Sequence, residues 1–265
     1  MSERNAECAS FLKSRRRRLT PEAVGLPHGV RRRIPTLRRE DVAWLADVGI
    51  TWYTWLEQGR PIKIASETLD RVARALRLDI SETEYLRKLV HGKDPARQHW
   101  RTPVSDAVRA LVERFEDGYA FVTGPRWDIL ACNARFGELA GFRGDAAGLR
   151  RNVLWSMFED PRAKRTYPNW TVLARCMVAT FRVDYADYVG DEGFTGLIET
   201  LSAKSADFRA MWDEVGVLSP MRWNVGAIRE PSTGRVAEYE TVNLRIPGSP
   251  AQMLVFYVPH ARPAT

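Results

Sequence analysis

Through the first two-fifths of the chain apolar residues recur every three or four positions, the spacing of helices with one buried face. The pattern predicts a helix over residues 11–19 that carries Arg15, Arg16, Arg17 and Arg18, then a short element opened by Thr20 and Pro21. A basic connector containing Arg31, Arg32 and Arg33 follows. From Leu37 the pattern is helical again, with Leu37, Val42, Leu45 and Ala46 on one face and Arg38, Arg39, Glu40 and Asp41 on the other. A break at Asp47, Val48 and Gly49 leads to a further helix over residues 50–58, closed by Gly59 where a left-handed residue is needed. Ser66 is the expected N-cap of a helix running past Leu69, Val72, Ala73, Ala75 and Leu76. Ser81 and Glu84 are spaced as a capping box for a last helix over residues 82–91.

Residues 93–103 are polar and bounded by proline, which suits a linker. Beyond them Val104, Val108, Leu111, Val112 and Phe115 align on one helical face. Residues 119–123 and 127–131, joined by a turn at 124–126, read as a β-hairpin. Helical patterns follow over residues 133–141, 151–159, 169–188, 195–202 and 206–212. Three strands close the chain, at 222–229, 236–245 and 252–258. The expected fold is therefore two-domain: an all-α unit over residues 1–92, the linker, and an α+β unit over 104–259 whose antiparallel sheet has helices over one face, with a tail at 260–265.

Charge separates the two units more sharply than the pattern does. Residues 1–101 hold 21 Lys/Arg against 13 Asp/Glu, whereas residues 102–265 hold 19 against 20. The surplus of positive charge lies wholly in the helical unit, the footprint of a module that meets a polyanion. At 45% hydrophobic and 28% charged residues the chain has ordinary globular usage, which excludes collagen-like and wholly disordered classes. It shows neither a long apolar span nor an export signal, so no membrane contact and a cytoplasmic location are expected. Cys8, Cys132 and Cys176 are odd in number, far apart and not spaced with histidine as metal ligands, so neither a disulfide framework nor a zinc site is expected. No nucleophile, phosphate-loop or metalloprotease motif is present, and neither an enzyme nor a cofactor is expected.

Two short helices around a tight turn in a basic helical segment are the sequence form of a helix-turn-helix. Residues 37–59 resemble the Xre-type, lambda-repressor-like motif, with Glu40, Ala43, Val48, Tyr53, Leu56, Glu57 and Gly59 at its spacing. The resemblance continues through Ser66, Leu69, Val72, Ala73, Ala75 and Leu76. It implies a lambda-repressor-like fold bound to double-stranded DNA. Arg38 and Arg39 would grip phosphate, and Ile50, Thr51, Trp52, Thr54, Trp55 and Arg60 would lie at the duplex. This sequence departs from the motif in holding Ile50 and Trp55 at positions that usually carry bidentate side chains, and Asp47 where the turn usually has glycine. Modest base readout on a large electrostatic component is expected. Trp44, Trp52 and Trp55 have a second reading, as an apolar face against a partner.

The second unit resembles the ligand-binding half of MmyB-like transcription regulators. The likeness is carried by residues 127–133, 151–161, 167–170 and 201–209, and the same family has the Arg-rich stretch seen here at 31–40. The family implies a PAS-like pocket for a small apolar molecule, fatty-acid-like by preference, in a homodimeric regulator. Trp127, Leu154, Trp155, Phe158, Trp170, Leu173, Met177, Phe181 and Trp212 are the candidate walls and Asn152 a candidate polar anchor. Met211 is a further apolar candidate, and Arg151, Arg175 and Arg222 are cations for an acidic head. The alternative is a protein–protein regulator with a degenerate helix-turn-helix and a ligand-free dimerisation unit.

Overall fold

The computed structural model describes residues 2–27, 35–92, 103–142, 148–214 and 226–260. The arginine run at 31–33, most of the expected linker and Arg222 lie outside the described residues. By their contacts the residues form two compact units, 1–93 with 185–191, and 94–184 with 192–265. Nothing in the residue pattern assigns 185–191 to the first unit.

In the first unit α1 (Glu3–Arg18) starts at Ser2, whose hydroxyl accepts the Asn5 N–H. Glu3 in its first turn and four arginines in its last both suit the helix dipole. It begins well before residue 11 because the cap and alanines favour helix where few large apolar residues mark a face. A 3-10 turn at Glu22–Val24 follows, with Thr20 Oγ1 accepting the Ala23 N–H. Then come α2 (Arg39–Leu45), α3 (Ile50–Glu57), α4 (Ser66–Ala75) and α5 (Ile80–His91). Phe11, Leu12, Leu37, Val42, Tyr53, Leu69, Val72 and Tyr85 are fully buried between them, with the Phe11 and Tyr85 rings edge to face at 5.0 Å. Two expected caps are displaced. Ser66 is the first helical residue and Ala65 the cap. On α5 the box is formed by Asp79, whose carboxylate accepts the Ser81 and Glu82 N–H groups at 2.9 Å, and by Glu82, which accepts the Asp79 N–H.

The α2–α3 turn is closed by the Val48 N–H on the Ala43 carbonyl and the Asp47 N–H on that of Trp44. This places Asp47 in the left-handed region, φ 51°. Gly59 takes the same role after α3 at φ 68° without the Cβ clash that Asp47 bears. Asp47→Gly is therefore expected to stabilise the unit by about 0.5–1 kcal/mol, read as a raised urea midpoint at constant m.

The second unit is built on a five-stranded antiparallel sheet in the order β2-β1-β5-β4-β3. Its strands are β1 (Tyr119–Thr123), β2 (Ile129–Cys132), β3 (Gly226–Arg229), β4 (Val236–Ile246) and β5 (Ser249–Pro259). All five residues of β1 are buried, so the sheet there is covered on both faces rather than one. On one face Ala120, Val122 and Leu254 pack with Val104 and with Val112 of α6 (Asp106–Glu113). On the other, Phe121 stacks at 4.0 Å on Phe136 of α7 (Ala134–Leu139). The remaining helices are α8 (Val153–Glu159), α9 (Ala163–Thr166), α10 (Trp170–Tyr185), α11 (Glu192–Lys204) and α12 (Ala206–Asp213). Trp127, expected in the hairpin's second strand, sits in its loop at φ 64°, and the strand starts at Ile129. Its indole N–H donates to Asp184, and the loop is tied down by Asn152, which explains the shift.

Candidate nucleic-acid interface and ligand cavity

The second helix of the turn-linked pair in the first unit is α3. Tyr53, Leu56 and Glu57 form its buried face, leaving Ile50, Thr51, Trp55 and Gln58 exposed, with Trp52 and Thr54 half-buried beside them. Arg38 and Arg60 are exposed, and the Arg60 guanidinium lies 5.7 Å from the centre of the Trp55 ring. Arg39 is more committed. Its Nε donates to Glu57 at 2.9 Å, and Arg16 grips the same carboxylate with two N–H groups at 2.6 and 2.8 Å while donating a third bond to the Leu37 carbonyl. Burial pulls the Glu57 carboxyl upward, but the two guanidiniums outweigh it and hold it below the usual carboxylate range. The hydrogen bond to Glu57 raises Arg16 in turn, against its own burial. Burial, with Glu57 nearby, pushes the Tyr53 hydroxyl up. The bidentate bridge ties the C-terminal end of α3 to α1 and α2, so the orientation of the exposed face is set from behind.

Sequence reasoning does not nominate Glu57 and Arg16 for this role. A carboxylate on the otherwise apolar inner face of a helix is the available signal, since such a group must find a buried cation. Gln58, the cap after the last residue of α3, is a further exposed polar group that the motif does not single out.

In the second unit a cavity lies among β2, α7, α8, α9, α10 and β5, with about 30 Å³ reachable by the centre of a water molecule. That is on the order of two water positions. Its apolar wall comes from Ile129, Phe136, Leu139, Val153, Met157, Leu173 and Met177, and its polar groups are Ser156, Asp160, Thr166, Tyr167 and Tyr257. Burial pushes the hydroxyls of Tyr167 and Tyr257 up, so both stay neutral donors. Asp160 is raised by burial, but its hydrogen bonds and charge pairing with Arg162, the side chain at 2.6–3.2 Å, take it below the usual value.

Of the candidate walls, Leu173 and Met177 line this cavity. The others pack elsewhere. Asn152, fully buried, caps α8 by accepting the Leu154 and Trp155 N–H groups and donates to the Arg126 carbonyl and Asp128. Leu154 is fully buried and Trp155 half-buried on α8. Phe158 meets Trp170 and Phe208 edge to face at 5.7 and 5.2 Å, and the Trp170 indole donates to the Met157 carbonyl. Phe181 contacts the rings of Trp127, Phe194 and Trp212. Met211 is buried on α12. Arg151 reaches the Ile129 carbonyl, and Arg175 pairs with Glu214. Burial raises all three cysteine thiols, Cys8 to about 12, with Glu7 adding to the effect at Cys8. Among the described residues no group of His, Cys, Asp and Glu is placed to hold a metal ion.

A basic helical unit presenting a turn-linked helix pair, joined in one chain to an α+β unit with an internal cavity, defines a class: a DNA-binding transcription regulator with a ligand-binding domain. The family described as MmyB-like transcription regulator ligand binding domain matches residues 104–265, and a Helix-turn-helix domain matches residues 8–86. The first match spans more than half of the chain, and the protein belongs to the MmyB-like transcription regulators. A search of curated proteins found no match. Among the described residues no helix is long and apolar enough to cross a membrane.

Proposed function

We propose that the protein is a sequence-specific, homodimeric regulator whose second unit is a PAS-like sensor of a small apolar acid, fatty-acid-like in character. The observation that carries this is the cavity: an apolar wall with Leu173 and Met177 on α10 and the neutral hydroxyl of Tyr167, able to donate to a carboxyl or carbonyl head. The strand order β2-β1-β5-β4-β3 supports the PAS-like reading. Trp44 and Ile80, 72% and 88% exposed in the first unit, are apolar groups that a homodimer contact would cover. The matches to a regulator's ligand-binding domain and to a helix-turn-helix domain support action by binding rather than by catalysis.

Native mass spectrometry of the purified protein, with extraction and identification of any released molecule, tests the ligand. A stoichiometric apolar acid, displaced in Met177→Trp, is the expected result. A protein that is empty and also takes up no added fatty acid overturns the sensor reading. The DNA surface is tested by changing Arg38 and Arg60, not Arg39, to Ala. Affinity for duplex is expected to fall, with the slope of log K against log salt shallower by about one for each phosphate no longer gripped. An unchanged slope and affinity overturn this assignment.

A further inference from the structure

We infer that α3 reads DNA through the C5-methyl groups of thymine, so that the bases facing it in each half-site are A·T pairs recognised by apolar contact rather than by bidentate hydrogen bonds. The inference rests on the DNA-binding reading above and concerns how that surface selects its sequence.

In a helix-turn-helix the N-terminal part of the second helix reaches base edges. Here that part offers Ile50, 41% exposed, then Thr51, with Trp55, 40% exposed, one turn on. Over Ile50–Glu57 there is no Arg, Lys, Asn or Gln, and the single carboxylate, Glu57, is buried against Arg16 and Arg39. The open face therefore has no side chain that can make a two-pronged bond to guanine or adenine. Its hydrogen-bonding groups are the hydroxyls of Thr51 and Thr54 and the single indole N–H of each of Trp52 and Trp55, and the first carboxamide comes at Gln58, past the end of the helix.

Among the four bases, thymine alone places a hydrocarbon group on the major-groove edge, and aliphatic, threonine-methyl and aromatic side chains are its partners. An exposed Ile and Trp flanking a Thr match that feature, and they would leave the polar edge of guanine or cytosine facing hydrocarbon, unpaired. The charge of the unit commits the occupant to a polyanion: residues 1–101 carry eight more basic than acidic residues, and exposed Arg38 and Arg60 stand at either end of the helix pair. Arg60, stacked toward the Trp55 ring, also restrains the orientation of that ring.

The experiment is selection of binding sites by the full-length protein from a random-sequence duplex library, followed by resynthesis of the winning duplex with deoxyuridine replacing thymine one position at a time. Deoxyuridine keeps every hydrogen bond and removes the methyl. Loss of affinity of about three- to fivefold per contacted methyl is expected at two or more positions of each half-site. In Ile50→Ala and Trp55→Ala, each checked for native circular dichroism, that difference should vanish at one of those positions while the salt slope is kept. Tight duplex binding indifferent to every thymine-to-uracil change overturns the inference and leaves the DNA-binding reading intact. Failure to enrich or bind any duplex overturns both, and favours a protein partner for the same face.

Discussion

Glu57→Gln is expected to destabilise the helical unit by about 2–3 kcal/mol, chiefly the cost of leaving the largely covered Arg16 without its counter-charge, since Arg39, 39% exposed, is screened by water. Glutamine keeps the shape and one acceptor oxygen but removes the charge shared by Arg16 and Arg39, whose N–H groups now point at it from 2.6–2.9 Å. The pH dependence has a definite sign. The folded carboxyl titrates below its unfolded value of about 4.5, so its stabilisation is complete above that value and is lost as the pH falls through the lower, folded one. Urea midpoints between pH 7 and acid should fall more steeply for the wild type than for Glu57→Gln. Coincident curves would show that the bridge contributes nothing to the fold. The same geometry makes Arg39→Ala a poor probe of DNA contact, since any loss of affinity would include the release of α3 from its support.

The helix-turn-helix is legible in the residues because each of its signals is local: an apolar period, a turn, and a glycine at a left-handed position. Caps are less so. Asp79 and Ser81 are both good capping types, and what decides between them is which carboxylate or hydroxyl meets the free N–H groups, a geometric fact. The α+β class and the sheet's antiparallel sense follow from alternation, but the burial of β1 on both faces does not show, because Ala120 and Val122 are small enough to serve on either kind of surface.

The cavity is the least legible feature. Large aromatic residues are the natural candidates for its walls, yet Trp127, Phe181 and Trp212 satisfy one another as a ring cluster. Much of the lining instead comes from medium-sized side chains and from Tyr257 on β5, far along the chain from α8. Long-range register brings those residues together, and no local spacing encodes it.

That difference between core and wall gives the second large effect. Phe181→Ala is expected to cost about 3–5 kcal/mol, since Phe181 is fully buried and its ring is enclosed by three others. Thermal unfolding followed by tryptophan fluorescence would register it through Trp127 and Trp212. The fraction that remains folded should hold its ligand as wild type does. A destabilisation below about 1 kcal/mol, together with loss of the ligand, would instead assign Phe181 to the wall of the binding site.

The smallness of the cavity sets a thermodynamic condition on any occupant. A molecule too large for this space binds only chains in which the elements around it have moved apart, and its apparent Kd is its intrinsic Kd divided by the fraction of such chains. If they make up one chain in a hundred, about 2.7 kcal/mol of intrinsic affinity goes into holding the wider form. Substitutions that trim the wall, such as Met177→Ala, would then tighten binding by populating the wider form beforehand. The protein's sensitivity would be tuned by the stability of its own empty state as well as by contacts with what it binds.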